Sequence, residues 1–243
     1  SKRHPMFIRD WYATHYPGVT VTEMTTFPTT TTVTVTPDTP TALVGLHGSA
    51  DSSWGNPLLP KEAEMARTGR LEAFKLLSDE HPDSVRRLQE INPTMFIMVR
   101  LYAKFDGQGH DSASFLKRVL PQAKAFYDRG VRFMELHNEP NLVGEGMFQN
   151  WKNGIEFSNW FRNVAVGLRK AMPEIKIGYT GLSPGHAFNK RYDPIAFWKE
   201  SSRALLIADW VGFHAYWTTE EDMLGEGGMG FQKYKTNKVK LIT

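Results

Sequence analysis

Glu139 is the residue of this chain whose type and setting point most directly to chemistry. It lies in E-L-H-N-E-P-N-L over 135–142, after the apolar positions Val131, Phe133, Met134 and Leu136 and just before Pro140. Gly130 and Pro140 are the breakers expected at the two ends of a buried strand. The pattern therefore delivers a carboxylic acid just past a strand's C-terminal edge, followed by a turn. Other strand ends read in the same way present His47, Ser78 or Asp79, Arg100, the run 137–139, the run 180–183 and the run 214–217. Together these offer an acid, an amide, imidazoles, a guanidinium, a phenol and an indole. No phosphate-cradling glycine loop, nucleophile elbow or thiol is among them.

The elements that must position these groups alternate short apolar runs with longer amphipathic segments, the pattern of β/α units and a parallel sheet. Strands are expected over 42–47, 73–77, 95–101, 131–136, 175–179 and 210–216, and 238–243 begins a seventh. The third, M-F-I-M-V-R-L, is apolar apart from Arg100, as a strand covered on both faces should be. Helices are expected over 82–91, 112–128, 157–172 and 193–205. In the second of these Phe115, Leu116, Val119, Leu120, Ala123 and Phe126 recur at three- and four-residue spacing, and Pro194 sits in the first turn of the last. The fold class is α/β, a (β/α)8 barrel with about seven strands present and incomplete at its C-terminus. An open doubly wound sheet uses the same units, but G-L-H-G after the first strand lacks the G-x-G-x-x-G spacing of its dinucleotide-binding form.

Upstream of the barrel, residues 1–24 have no sustained periodicity and stay unassigned. Residues 25–41 are Thr- and Pro-biased and read as an extended linker. The truncated barrel is then 42–243, one domain of a size that such barrels routinely take. Formal net charge is only +3 over 243 residues, with no basic run, so nucleic acid is not an expected partner. Absence of cysteine excludes disulfides, a thiolate nucleophile and a Cys-based zinc site. No apolar run approaches the roughly 18 residues of a membrane span, and no signal-peptide pattern is present. Since the chain starts at Ser1, a preceding segment is expected to have been removed.

Two stretches carry a resemblance to a known family. E-L-H-N-E-P-N-L resembles the acid/base segment of the clan A glycoside hydrolases, the barrel superfamily that includes cellulases, mannanases and β-xylosidases. D-W-V-G-F-H-A-Y-W over 209–217 resembles that clan's sixth strand, where a His and a Tyr two apart share one face. The organisation matches over about 42–243, the motifs closely only in these two strands.

The resemblance implies a retaining glycosidase acting on a poly- or oligosaccharide, with Glu139 as general acid and base. That role needs its pKa lifted while a partner carboxylate stays ionised. Asn138 would hydrogen-bond the sugar 2-hydroxyl. His214 and Tyr216 would line the site, with Tyr216 hydrogen-bonding the nucleophile, and Trp217 would stack on a pyranose face. His47 is placed at the substrate by its strand-end position. Arg100 is expected to hold a nucleophile carboxylate or to form a structural ion pair. His137 alternates away from Asn138 and is expected behind the site, while Glu135 is expected to pair with a base or face the helices. Trp54 and Trp151 are weaker stacking candidates. Asp51 and Asp79 match no clan position and read as turn or capping acids. The clan's nucleophile ends the seventh strand, here K-L-I-T, so it is expected directly after Thr243 and the chain as it stands is expected to be inactive.

No cofactor or metal is expected. A metal-dependent barrel hydrolase would gather His47, His137, His214 and Glu139, but H-x-H on the first strand and H-E-x-x-H are both missing. A non-catalytic carbohydrate-binding or wall-associated barrel is the other rival. The linker and the family imply an extracellular or cell-surface enzyme, with further modules beyond the N-terminal linker.

Overall fold

The computed structural model describes residues 43–48, 58–104, 111–184 and 190–214. The expectations for 1–24, the 25–41 linker, Asp51, Trp54, Tyr216, Trp217 and the seventh strand lie outside the described residues.

Six strands, β1 (Gly45–His47), β2 (Ala73–Leu77), β3 (Phe96–Leu101), β4 (Phe133–Leu136), β5 (Lys176–Tyr179) and β6 (Trp210–Val211), pair in sequence order. Every pairing is parallel. A doubly wound sheet reverses its strand order at a switch point. The unbroken order excludes it and leaves the barrel winding, of which these strands form a curled half.

Side chains demonstrate the curl. Flat, β3 and β6 would stand about 14 Å apart, three strand spacings. Arg100 on β3 nevertheless reaches within 3.2 Å of His214, just beyond β6. Arg100, Glu135 and Lys75 thus line the concave face: Arg100 is in register with Glu135 and with Leu77, two residues from Lys75. Alternation sends Leu76, Val99, Leu101, Met134, Leu136 and Ile177 the other way, under the helices, where at least 99% of each is buried. Each contributes on the order of 1.5–3 kcal/mol.

The covering helices are α1 (Pro60–Thr68), α2 (Ser84–Ile91), α3 (Ser112–Tyr127), α4 (Gly154–Ala171), α5 (Pro194–Glu200) and α6 (Ser202–Ile207). None of them is long and apolar enough to cross a membrane. Asp111 caps α3 by accepting from the Ser114 N–H at 2.7 Å. After α3, Gly130 takes φ +93°, a conformation open to glycine at little cost, and turns the chain into β4.

Four elements depart from expectation, the first being β6, expected over 210–216, which ends at Val211 and leaves the described residues 212–214, His214 among them, outside the strand. Helix α1 lacks a sustained apolar stripe; its start is set by Pro60 and by Glu62, which accepts from the Leu59 N–H at 3.0 Å. Asn153 accepts from the Glu156 N–H at 2.9 Å, so α4 begins three residues before 157. The helix expected over 193–205 breaks at Ser201, whose hydroxyl lies 2.7 Å from the buried Tyr179 hydroxyl. A buried phenol needs a partner, and Ser201 supplies it.

Glu80, in the turn after β2, is 3% exposed and accepts from the Leu77 N–H at 3.0 Å. Burial pushes its carboxyl up to about 7; the Leu77 bond opposes this, and the charges of Glu62 and Asp79 add to it. The folded pKa exceeds the ordinary 4.5, so the folded state holds an extra proton between the two values. Stability is then greatest below the unfolded pKa and falls as pH rises through about 7. Glu80→Gln is expected to stabilise the protein by about 2–3 kcal/mol at pH 8 and by little near pH 5, as judged from the size of the shift. Urea denaturation at the two pH values checks this, and an equal effect at both would refute it.

Candidate active site

The turn that carries Glu139 is held in an unfavourable backbone conformation. His137 has φ +66° and Glu139 φ +33°, in the region L-residues avoid, at a cost of about 1–3 kcal/mol each. Several bonds impose it. The His137 N–H donates to Leu101 O at 2.8 Å, and Leu142 N–H donates to Glu139 O at 2.9 Å. The Trp151 indole N–H donates to Pro140 O at 2.7 Å. Asn141 ties the turn to the loop after β5, donating to Ser183 O and accepting from Ser183 N–H, both at 2.9 Å. Strain kept in place by this many contacts is a common mark of a functional turn.

The imposed geometry brings three expected residues together. His214 Nδ1 lies 2.7 Å from Glu139 Oε1. On its other side, Arg100 Nη2 lies 3.2 Å from His214 Nε2. A guanidinium can only donate, so Nε2 accepts and Nδ1–H donates to Glu139. Gly181 makes room for this ring: a Cβ there would stand 2.4 Å from His214 Cδ2 and 2.8 Å from its backbone N.

Below lies a buried ion cluster. Glu135 Oε2 receives Lys75 Nζ at 2.5 Å and Arg100 Nε at 2.6 Å. Burial alone would raise the Glu135 pKa, but the charges of Lys75 and Arg100 outweigh it and hold the carboxyl below its ordinary range. One carboxylate compensates two cations only in part. Lys75 is accordingly lowered by burial and by Arg100, against the pull of Glu135. Arg100 thus forms the structural ion pair that was one of its two expected roles, with His214 as a second contact. Glu135 pairs with bases, as expected.

His47 joins the edge of this cluster. Burial lowers its pKa, its bond to Gly48 O opposes that, and Lys75 and Arg100 lower it further. His137 packs away from the cleft, its ring centroid 5.2 Å from Tyr102, 5.8 Å from Phe115 and 6.1 Å from both Trp151 and Trp160. The stacking role for Trp151 is corrected: the ring is 1% exposed and braces Pro140 instead. His47, His137, His214 and Glu139 do not gather as a metal set; among the described residues no group of three or more His, Cys, Asp or Glu could hold an ion.

Three contributors were not anticipated. Lys75 interrupts an apolar strand, a pattern that signals a buried counter-charge, and Glu135 is that charge. Asn141 and Glu145 had no spacing signal, since each acts through contacts made by folding. Asn138 Nδ2 donates to Glu145 Oε1 at 3.0 Å. Burial raises the Glu145 pKa, bonds from Asn138 and Tyr102 lower it, and the nearby Glu139 charge raises it.

With this geometry in place, solved structures supply the comparison. The endo-1,4-β-mannanase from Rhizomucor miehei superposes with a TM-score of 0.56 at 13% identity, covering 85% of this chain and 76% of that one. This chain shares the parallel β/α barrel fold of that enzyme. The glycoside hydrolase domain of PelA from Pseudomonas aeruginosa aligns at 13% identity over 83% of this chain and 79% of that one, with a TM-score of 0.46. The homocysteine methyltransferase MmuM from Escherichia coli aligns at 14% over 84% and 81%, with a TM-score of 0.48. No protein-family model and no curated protein matches the chain. At these identities the likeness speaks to fold alone, and the reaction has to be argued from the site.

Proposed function

We propose that this barrel cleaves O-glycosidic bonds of a poly- or oligosaccharide by a retaining double displacement, with Glu139 as general acid and then general base. The observation that carries the reading is the Nδ1–H of His214 donating to Glu139 Oε1 at 2.7 Å, at the C-terminal end of β4 where such barrels place their chemistry. With its proton on Oε2, Glu139 can protonate a leaving glycosidic oxygen. Negative charge then develops on the carboxylate, and a donor already aimed at Oε1 strengthens its bond as that happens. Arg100 stands behind the donor and adds positive charge on the same side. In the second step the carboxylate takes a proton from the incoming water.

Retention requires a second carboxylate about 5 Å from the acid. Glu135 is committed to Lys75 and Arg100, and Glu145 to Asn138. We assign the nucleophile to a carboxylate outside the described residues. Asn138 is assigned to the sugar 2-hydroxyl, Tyr216 to the nucleophile, and Trp217 to a pyranose face, with His47 at the edge of the cleft. The Thr- and Pro-biased 25–41 segment suits a modular enzyme working outside the cell.

The test is a panel of aryl and β-linked oligosaccharide substrates offered to the protein, with product anomers followed by NMR. Retained configuration, unaffected by a strong chelator, is the expected result. Inversion would rule out the double displacement, loss of activity with chelation would favour a metal hydrolase, and binding without cleavage would leave a carbohydrate-binding module.

A further inference from the structure

We infer that Glu145 is a positioning residue: by holding the amino group of Asn138 it fixes which edge of that amide is left for a substrate hydroxyl. What Asn138 touches rests on the glycosidase reading above; that Glu145 orients it does not.

An ionised carboxylate can only accept, so the Asn138 group 3.0 Å from Glu145 Oε1 must be the NH2. Tyr102, just past the end of β3, also lies close enough to help lower the pKa of this carboxylate. The Glu145 side chain is only 16% exposed, so its contact with Asn138 is largely screened from water. The amide oxygen is what remains. Asn138 Oδ1 is buried and has no hydrogen-bond partner among the described residues. A buried acceptor left open is unfavourable until a donor meets it. A substrate hydroxyl that reaches this edge of Asn138 therefore has to donate to it rather than accept. Were the amide free to flip, it would present donor and acceptor about equally, and part of the binding would be lost to the wrong orientation.

The side-chain amide resonances of Asn138, identified by their loss in Asn138→Asp, report the contact without any need for turnover. Glu145→Ala is expected to move them upfield, and Glu145→Gln, which can still accept from Asn138, to leave them near their wild-type positions. If Glu145→Ala does not fold, lowering the pH on the wild-type chain takes its place: the resonances should move as Glu145 protonates and stay still in Glu145→Gln. Tyr102, His137, Glu139 and Arg100 also face Glu145, and the Gln variant keeps them all, so the difference belongs to Glu145. With a cleaved substrate, Glu145→Ala should lower kcat on the order of 10- to 100-fold with a smaller change in KM, as for a lost charge-assisted bond. The same substitution in an Asn138→Ala background should cost almost nothing. Unmoved amide resonances, or fully additive effects, would overturn the inference. A wild-type chain that cleaves nothing would defeat the glycosidase reading alone, because the resonances still decide the role of Glu145.

Discussion

Glu139→Gln is expected to lower kcat/KM on an unactivated β-glycoside by roughly 10²–10⁴-fold, the range of a lost general acid. The same substitution should cost far less in the first step on an aryl glycoside whose phenolate leaves without a proton. On that substrate the second step, which needs the base, becomes limiting; kcat and KM should then fall together and a small anionic nucleophile such as azide should restore turnover. Glutamine is the right replacement because its amide oxygen can still accept from the His214 Nδ1–H, so the 2.7 Å contact and the strained turn need not change. The alkaline limb of the pH–rate profile should disappear as well, since that limb reports loss of the acid's proton. Steady-state kinetics across leaving groups of graded pKa measure all of this. An equal loss for every leaving group would mean that Glu139 organises the cleft rather than moving a proton.

The parts of the fold legible in the sequence are those whose signal is local. Strands β2 to β5 are short apolar runs between breakers, and α3 shows its buried stripe at helical spacing, so their bounds fall within a residue or two of expectation. Glu139 and His214 stand out in the sequence because each follows an apolar run and has a recognisable neighbour, and folding brings their side chains to 2.7 Å. The barrel winding needed the strand order, which no local pattern contains. The break at Ser201 depends on Tyr179, 22 residues away, whose hydroxyl has to find a partner. Trp151 sits in a stretch whose composition suggests a surface loop, yet the loop folds back and the ring braces Pro140. Asn141 and Glu145 act on residues brought near by the same loop, and a sequence pattern cannot tell the inner side of a loop from the outer. Lys75 shows the intermediate case: a lone cation in an apolar strand announces a buried partner without saying which acid it is.

That partner, Glu135, carries the largest expected stability effect in the molecule. Glu135→Ala leaves Lys75 and Arg100 facing each other in a buried site with no counter-charge, and breaking such a cluster costs about 3–5 kcal/mol. Glu135 is 1% exposed, so water offers little relief. The pH dependence follows from the sign of its shift. The folded pKa lies below the ordinary 4.5 because the two cations outweigh burial. Its contribution is therefore fully present above the unfolded pKa and is lost as pH falls through the folded one. Urea denaturation should show wild type losing stability across that acid range, with the Glu135→Ala chain less stable at pH 7 and flatter below pH 5. Lys75→Met added to Glu135→Ala should recover part of the loss by removing one stranded charge. A loss under about 1 kcal/mol, the scale of exposed pairs, would mean that water reaches the cluster. The consequence extends to the chemistry, because Arg100 is anchored by Glu135 on one side and touches His214 on the other. Released, it should let the His214 ring turn, and the donor aimed at Glu139 would lose its fixed tautomer.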